Sequence, residues 1–561
     1  MSAESEGGEG NSSQPIHGIE IEKDVRVRLR DGVQIYVDIF RPDAEGEFPA
    51  LVTWSAYGKE KQSLSYPPQV YESRFHDGNV EAADYEFLVP RGYALLIPDP
   101  RGVGQSDGEY ICPYSVEEAT DLYDVVEWAA EQPWCNGNVG LIGYSYFGMI
   151  QPICAALHPP HLKAIAPWAV PADWYRNCYN DGVLNTFYHR LFTDIKTSGK
   201  AVSVLKRTLP REELDRLVKA AKDDPDLKQY VAVYQILDYP DKNPVLFDVM
   251  LQPHDGPFYW ERSPYRVYDR IKIPAYFGVT WGPPFNEHVR GAFKNYLGVD
   301  VPKKLIIMST RSAEPRYLEP EEQVRWFDHW LKGVDNGIMD EPPIKIWVTQ
   351  RGEYRYENEW PLARTKWAKF YLRTFGRLTT EPDRWSAPPD AFAHVPPNVT
   401  LTPHSLKYTT APLPEDTEVT GPVALYLYAA IDQDDANWHA QISDVDATGK
   451  ARLVTNGWLK ASHRAIDEGR SRLPWLPEHL HTEDAVEPVV PCEINEYAME
   501  LIPCCNVFFR GHRIQLEISS NDPPEMSESG PHVCSSRVTL HKIYRDKERR
   551  SHLLLPIIPQ I

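Results

Sequence analysis

Residues 139 to 150 read VGLIGYSYFGMI: an apolar run, Val139 to Ile142, then Ser145 held between Gly143 and Gly148. An apolar run followed by glycines bracketing a serine describes a strand that turns sharply into a helix. The glycines are needed because side chains on either side of so tight a turn would clash, and the turn pushes the hydroxyl into the open. The spacing is G-x-S-x-x-G, one residue longer than the commoner elbow, so the segments around it have to carry the reading.

Upstream, SVEEATDLYDVVEWAAEQ (115–132) places Leu122, Val125, Val126 and Ala129 at helical spacing behind Ser115 as a cap. Before it stand two short apolar runs, PALVTWSAY (49–57) and GYALLIPDPRG (92–102), each ending in Gly, Pro or polar residues. Farther back, IEIEKDVRVRLRDGVQIYVDIFRP (19–42) alternates with period two on both sides of Asp31-Gly32, which predicts a β-hairpin. Strand, helix, strand, turn and helix is the rhythm of a parallel sheet covered by helices.

Downstream, residues 173 to about 265 turn charged and helical, as in REELDRLVKAAKDD, and predict an insertion above the sheet. The strand candidates IPAYFGV and KKLIIMS and the amphipathic EEQVRWFDHWLKG then resume the first pattern. Beyond Glu341, Pro-rich loops alternate with short β-type runs, VALYLYAAI, HAQISDV, NVFFRGHRIQLEIS and RVTLHKIY, which is how an antiparallel sandwich reads. The expected division is a disordered acidic tail (1–17), an α/β core in two parts (18–172 and 266–340), a helical cap (173–265) and a β-sandwich (341–561).

A chain of 561 residues is long enough for two or three domains and a large interior. Its 16 Trp, 31 Tyr and 50 Pro favour strands, loops and aromatic-lined cavities, and hence an apolar or aromatic small-molecule substrate. With 80 acidic against 59 basic side chains the net charge is -21, which repels phosphate backbones and anionic lipid, so neither nucleic acid nor a membrane is an expected partner. No run approaches the ~20 apolar residues that span a bilayer, and MSAESEGGEG lacks the look of a secretory leader. The expected location is the cytosol, where the sequons at Asn11 and Asn398 carry no meaning. Homo-oligomerisation is left open. Eight cysteines without a CxxC pair read as buried free thiols rather than a zinc site or a disulfide framework.

GYSYFG, with AYG (56–58) and DPRGVGQSDGEY (99–110) before it and ERSPYRVYDRIKIP, WFDHWLKG, EWP (359–361) and FRGHRIQLEIS (509–519) after it, resembles the X-Pro dipeptidyl-peptidase and cocaine esterase family of α/β-hydrolases over nearly the whole chain. The resemblance implies an α/β fold: an α/β-hydrolase core with a helical cap and a C-terminal β jelly roll, cleaving esters or amides through a Ser, Asp and His triad without metal or cofactor. By position Ser145 matches the nucleophile. Tyr57 matches the tyrosine whose hydroxyl, with the backbone N–H of Tyr146, forms the oxyanion hole.

The family pattern then breaks. In VTWGPPFNEHVRG (279–291), Trp281 and Arg290-Gly291 can be matched, but the aspartate slot falls on Pro283. In KKLIIMSTRSAEPRYL the histidine slot is Ser309 or Ser312, and no His occurs between His288 and His329. A serine hydroxyl is a poor nucleophile without a base to take its proton. His288 is the preferred replacement, with Glu287 as its orienter or as a base in its own right. Asp328, His329, His254 and Asp255 are read as structural or cavity-lining. Three readings follow: acyl hydrolysis of a small ester, lactone or amide through Ser145 and a substitute base; cyclisation, isomerisation or C–C chemistry using only the oxyanion donors; and a catalytically silent binding protein.

Overall fold

The computed structural model describes residues 12–63, 81–187, 201–281, 286–309, 319–396, 404–471, 476–522 and 531–559. A ten-stranded sheet forms the core, with β1 (Gly18–Arg28), β2 (Gln34–Asp43), β3 (Phe48–Val52), β4 (Ala94–Asp99), β5 (Cys135–Tyr144) and β6 (Leu162–Trp168) in its first part. The cap contributes a small separate pair, β7 (Tyr179–Asn180) and β8 (Val183–Leu184). The sheet resumes with β9 (Ala275–Thr280), β10 (Lys303–Met308), β11 (Ile344–Val348) and β12 (Glu353–Glu357). Its spatial order is β1-β2-β4-β3-β5-β6-β9-β10-β11-β12. From β4 through β11 every neighbour is parallel, while β1, β2 and β12 close the edges antiparallel.

The buried parallel strands are near-continuous apolar runs because helices cover both faces. Helix α1 (Val116–Ala130) starts at Ser115, whose hydroxyl accepts from the Glu118 N–H at 3.1 Å, and buries Leu122, Val125, Val126 and Ala129 as the spacing predicts. Helix α2 (Tyr146–Ala155) follows the elbow and is buried along its whole length. The cap carries α3 (Arg211–Asp223), of which only Ala221 is buried. Helix α4 (Asn286–Gly298) connects β9 to β10, and α5 (Pro320–Lys332) packs against the sheet through Val324, Trp326, Phe327 and Leu331.

Strands between Lys366 and Ile558 form an 11-stranded sheet that wraps an apolar core of its own, the C-terminal jelly roll. The NVFFRGHRIQLEIS segment is two strands, Asn495–Phe508 and Arg513–Ser519, parted at Gly511, whose φ of 86° is open to glycine. Residues 12–17, assigned to the tail on composition, are held to α5: Asp328 Oδ2 accepts from the Ser13 N–H and Oδ1 from the Ser13 hydroxyl, both at 2.6 Å. Residues 1–11 of that tail lie outside the described residues. Seven of the eight cysteines are buried thiols and Cys492 is exposed. No described helix is long and apolar enough to cross a membrane.

Candidate active site

In an open parallel sheet, ligands bind beyond the carboxyl ends of the strands. The chain leaves β5 and β6 at that edge, and Ser145 sits where β5 turns into α2. Its backbone has φ 52° and ψ −114°, outside the regions that L-residues prefer, and its N–H donates to Trp168 O at 2.9 Å at the end of β6. At the end of that neighbouring strand Ala169 also has positive φ, 54°. Strained residues at two adjacent strand ends are the mark of a backbone arranged for exposure of a side chain.

Both flanking glycines are required sterically. Gly143 has φ 136°, and a Cβ there would stand 2.4 Å from Phe147 Cβ; one at Gly148 would meet Val170 Cγ2 at 2.5 Å and Trp168 O at 2.6 Å. Gly148→Ala is therefore expected to destabilise the protein by about 1–3 kcal/mol through overpacking and to displace Ser145, measured as a lowered denaturation midpoint together with lost reactivity of the hydroxyl.

Tyr146 is the first residue of α2, so its amide has no partner within the helix and lies at the positive end of the helix dipole. The ring of Tyr57, half-buried after β3, stands edge-on to Tyr146 at 5.4 Å and to Phe147 at 5.9 Å. Ser145, Tyr146 and Tyr57 are thus brought together. Aromatic contacts continue from Tyr146 to Tyr114 at 4.6 Å, from Tyr114 to Trp174 at 5.9 Å and from Trp174 to Phe258 at 5.4 Å, linking the elbow to the cap.

The stretches in which the acid and base are expected begin after β9 and β10. Trp281 follows β9, with its indole N–H donating to Trp347 O at 2.8 Å, and Ser309 follows β10, half-buried. Pro283 and Ser312 lie outside the described residues. Among the described residues, no side chain hydrogen-bonds the Ser145 hydroxyl.

His288 lies in the first turn of α4 and is buried, which pushes its imidazole down to about 4. Seven residues on, and so on the same helix face, Asn295 donates to Val170 O at 3.1 Å; Val170 is the residue a Cβ at Gly148 would strike. That face of α4 is turned towards the loop behind the elbow. Glu287 is directed elsewhere. Its Oε1 accepts from Arg290 Nη1 at 2.6 Å and from Asn180 Nδ2 at 3.1 Å, within a buried ion cluster. Burial raises Glu287 and Arg290 opposes the rise. Asp328, besides holding Ser13, accepts from the Tyr93 hydroxyl at 2.6 Å, and the His254 ring stacks on His463 at 6.1 Å.

Two features were not singled out in the sequence. Beneath the elbow, Glu118 accepts from the Tyr146 hydroxyl at 2.7 Å, the Trp54 indole N–H at 3.1 Å and the Tyr114 N–H at 2.6 Å, and the Tyr110 and Tyr146 hydroxyls are 2.6 Å apart. Between cap and jelly roll, His532 Nδ1 is 2.9 Å from Asp522 Oδ2, and its Nε2 is 2.5 Å from Asn180 Oδ1.

Comparison with known proteins places the chain in a family and agrees with the fold. The chain is 25% identical to the cocaine esterase of Rhodococcus sp. over 96% of its own length and 98% of that protein's. It is 24% identical to a putative serine esterase of Mycobacterium bovis, over 95% and 94%. A CocE/NonD family hydrolase of Staphylococcus aureus superposes with a TM-score of 0.77 at 26% identity, covering 96% of this chain and 94% of that one. An α-amino acid ester hydrolase with a TM-score of 0.72 at 18% identity shares the fold. Residues 31–311 match the X-Pro dipeptidyl-peptidase (S15 family) and 336–554 its C-terminal non-catalytic domain, and the chain belongs to this family of esterase- and peptidase-type α/β-hydrolases.

Proposed function

We propose that the protein hydrolyses a small carboxylic ester, lactone or amide by acyl transfer through Ser145, with His288 in place of the usual base. The observation that carries this reading is the strained elbow itself: a serine at φ 52° with glycines that nothing larger can replace, beside a tyrosine and a free helix amide. Strain of this kind is sustained where a side chain has to be presented.

In the reaction, Ser145 Oγ attacks the acyl carbon while its proton passes to the neutral imidazole of His288. The developing oxyanion is held by the Tyr57 hydroxyl and the Tyr146 N–H, donors whose loss in comparable sites costs about 100- to 1,000-fold in rate. Collapse of the tetrahedral species returns the proton to the departing alcohol or amine, and water then releases the acid from Ser145. His288 is neutral at pH 7 because burial disfavours its charge, so it can accept a proton. That same burial makes the imidazolium costly, and Glu287 is engaged with Arg290 and Asn180. Turnover slower than that of a complete triad follows.

The test is covalent. A fluorophosphonate probe incubated with the intact protein should leave its phosphonyl group on the peptide that contains Ser145, identified by mass spectrometry, and Tyr57→Phe should slow that labelling about 100-fold or more. Labelling at no serine, or at another serine, would reject the reading.

A further inference from the structure

Glu118 is a carboxyl without a cation among its hydrogen-bond partners, buried directly behind the residue that follows the nucleophile. Its partners are all donors: the Trp54 indole and the Tyr146 hydroxyl on Oε1, and the Tyr114 amide on Oε2. Tyr146 is fully buried, Tyr110 is 3% exposed, and their hydroxyls share a single short hydrogen bond. The result is a closed chain, Glu118–Tyr146–Tyr110, with one hydrogen on each phenol. The Tyr57 hydroxyl lies near enough to act electrostatically on that of Tyr110.

Counting hydrogens fixes two arrangements. When Glu118 is ionised, Tyr146 must donate to it and Tyr110 must donate to Tyr146, so neither phenolic hydrogen is offered to the cavity. When Glu118 carries a proton, it can donate to the Tyr146 oxygen and Tyr146 to Tyr110, which frees the Tyr110 hydrogen from the chain, with Tyr57 the phenol it acts on. The first arrangement also leaves a negative charge behind the place where an oxyanion must form; the second leaves none. Hydrogen bonds aligned in one direction strengthen one another.

We propose that Glu118 is a positioning residue whose protonation state sets the direction of the hydroxyl chain behind the elbow, and through it how well Tyr57 and the Tyr146 amide hold an anion. The inference rests on the acyl-transfer reading above. It adds a control on the oxyanion hole.

The charge balance around Glu118 is readable. Burial raises its carboxyl to about 7, with Tyr146, Tyr114 and Trp54 pulling the other way. On its own helix Glu117 precedes it and pairs with Arg101 at 3.5 Å, and Asp121 lies on the next turn; burial raises Asp121 to about 6 and Arg101 holds it in an ion pair at 2.5 Å. From the loop ahead of α1 come Tyr110, Tyr114 and Cys112, and from α2 comes Tyr146. The Tyr110 and Tyr146 phenols and the Cys112 thiol are pushed up by burial and stay neutral near pH 7. Glu118 and Asp121 are thus the groups of this set that change charge near neutrality, and of the two it is Glu118 that is bonded to the hydroxyl chain, Asp121 being paired with Arg101. The anion-holding form is the protonated one, so its contribution is present below about 7 and is lost as pH rises through it.

The experiment compares the pH dependence of fluorophosphonate labelling, and of kcat/KM on a small ester, in wild type, Glu118→Gln and Tyr110→Phe. Wild type is expected to fall about tenfold from the acid to the alkaline side of neutrality, the equivalent of one pKa unit. Glu118→Gln, which carries no charge at any pH, is expected to lose the fall and to exceed wild type at alkaline pH. Tyr110→Phe should sit at the low alkaline level throughout. A carboxyl band that titrates near neutrality in the infrared difference between wild type and Glu118→Gln, where the raised Asp121, Asp173 and Asp248 cancel, and that is retained in Tyr110→Phe, reads the same ionisation without any turnover. A Glu118→Gln variant with the wild-type fall, or with a loss equal at every pH, would overturn the inference, as would absence of the titrating band. Ser145→Ala with undiminished turnover would instead reject the hydrolase reading, and the band would still decide the inference.

Discussion

Ser145→Ala is expected to lower kcat for a small ester by at least about 1,000-fold at neutral pH, with KM little changed, measured by initial rates on a protein of unaltered denaturation midpoint. The size of this loss is informative because members of a nucleophile–base unit are not additive. In serine proteases, removing the base alone costs about as much as removing nucleophile and base together, since an unassisted hydroxyl adds almost nothing to what the oxyanion donors already supply. A chain in which Pro283 and Ser309 or Ser312 are expected at the usual acid and base slots therefore gives a sharp alternative. Were no base present, Ser145→Ala would be nearly silent. A loss of three orders of magnitude means that some group takes the proton, and His288→Gln should then cost a similar amount, with the double variant no worse than either single one. A loss below about tenfold would remove acyl transfer through Ser145.

The parts of this site visible in the sequence are those enforced by backbone geometry. Gly143, Ser145 and Gly148 announce themselves because a strand-to-helix turn tolerates few residues, and the resulting φ values and Cβ clashes are what the motif encodes. The hairpin about Asp31-Gly32 and the periodicity of α1 were readable for the same reason: local rules fix them. Glu118 was hidden by such a rule. Three residues after Ser115, it fits the last position of a capping box and reads as helix punctuation. The Ser115 half of the box is present, but the Glu118 carboxylate turns away to the Tyr114 amide, Trp54 and Tyr146. Trp54 is 64 positions distant in sequence, so no spacing could have revealed the contact. Glu287 shows the converse. Its neighbour His288 made it look like an orienting acid, whereas a helix turns successive residues about 100° apart, and here Glu287 faces Arg290 one turn on while His288 follows the Asn295 face. Asp522 and His532 escaped because their partner, Asn180, belongs to the cap.

The second large effect lies outside the chemistry, where cap, core and jelly roll meet. Arg176 reaches Asp181 at 2.6 Å, Glu500 at 3.0 Å and Glu478 at 3.3 Å; Arg290 reaches Glu287 at 2.6 Å and Asp181 at 3.5 Å; and His481 Nε2 is 3.3 Å from Asp181. Both guanidiniums are nearly inaccessible to water, at 3% and 2% exposure. Charges at this depth are tolerable only as a set, because the cost of removing each from water is offset by its partners. Arg176→Met, similar in length but uncharged, is expected to cost about 3–5 kcal/mol, since it leaves buried carboxylates uncompensated. Arg176→Lys should recover part of that loss, keeping the charge while losing the planar fork. Chemical denaturation at neutral pH measures both.

The acid dependence follows from the same contacts. Burial would raise Asp181, but Arg176 and Arg290 outweigh it and hold the carboxyl well below the usual range. Glu478, likewise raised by burial, is drawn down to about 2 by Lys294 and Arg176. Groups lowered on folding stabilise the protein above their unfolded values, near 4, and that stabilisation is lost as pH falls from there towards 2. Wild type should therefore lose stability steeply across this window. Arg176→Met, whose Asp181 and Glu478 are held down less, should lose it more gradually, so the difference between the two proteins narrows on acidification. A penalty under about 1 kcal/mol at neutral pH, the range of an exposed pair, or a difference that widens in acid, would show that the cluster does not bind the three parts of the molecule together.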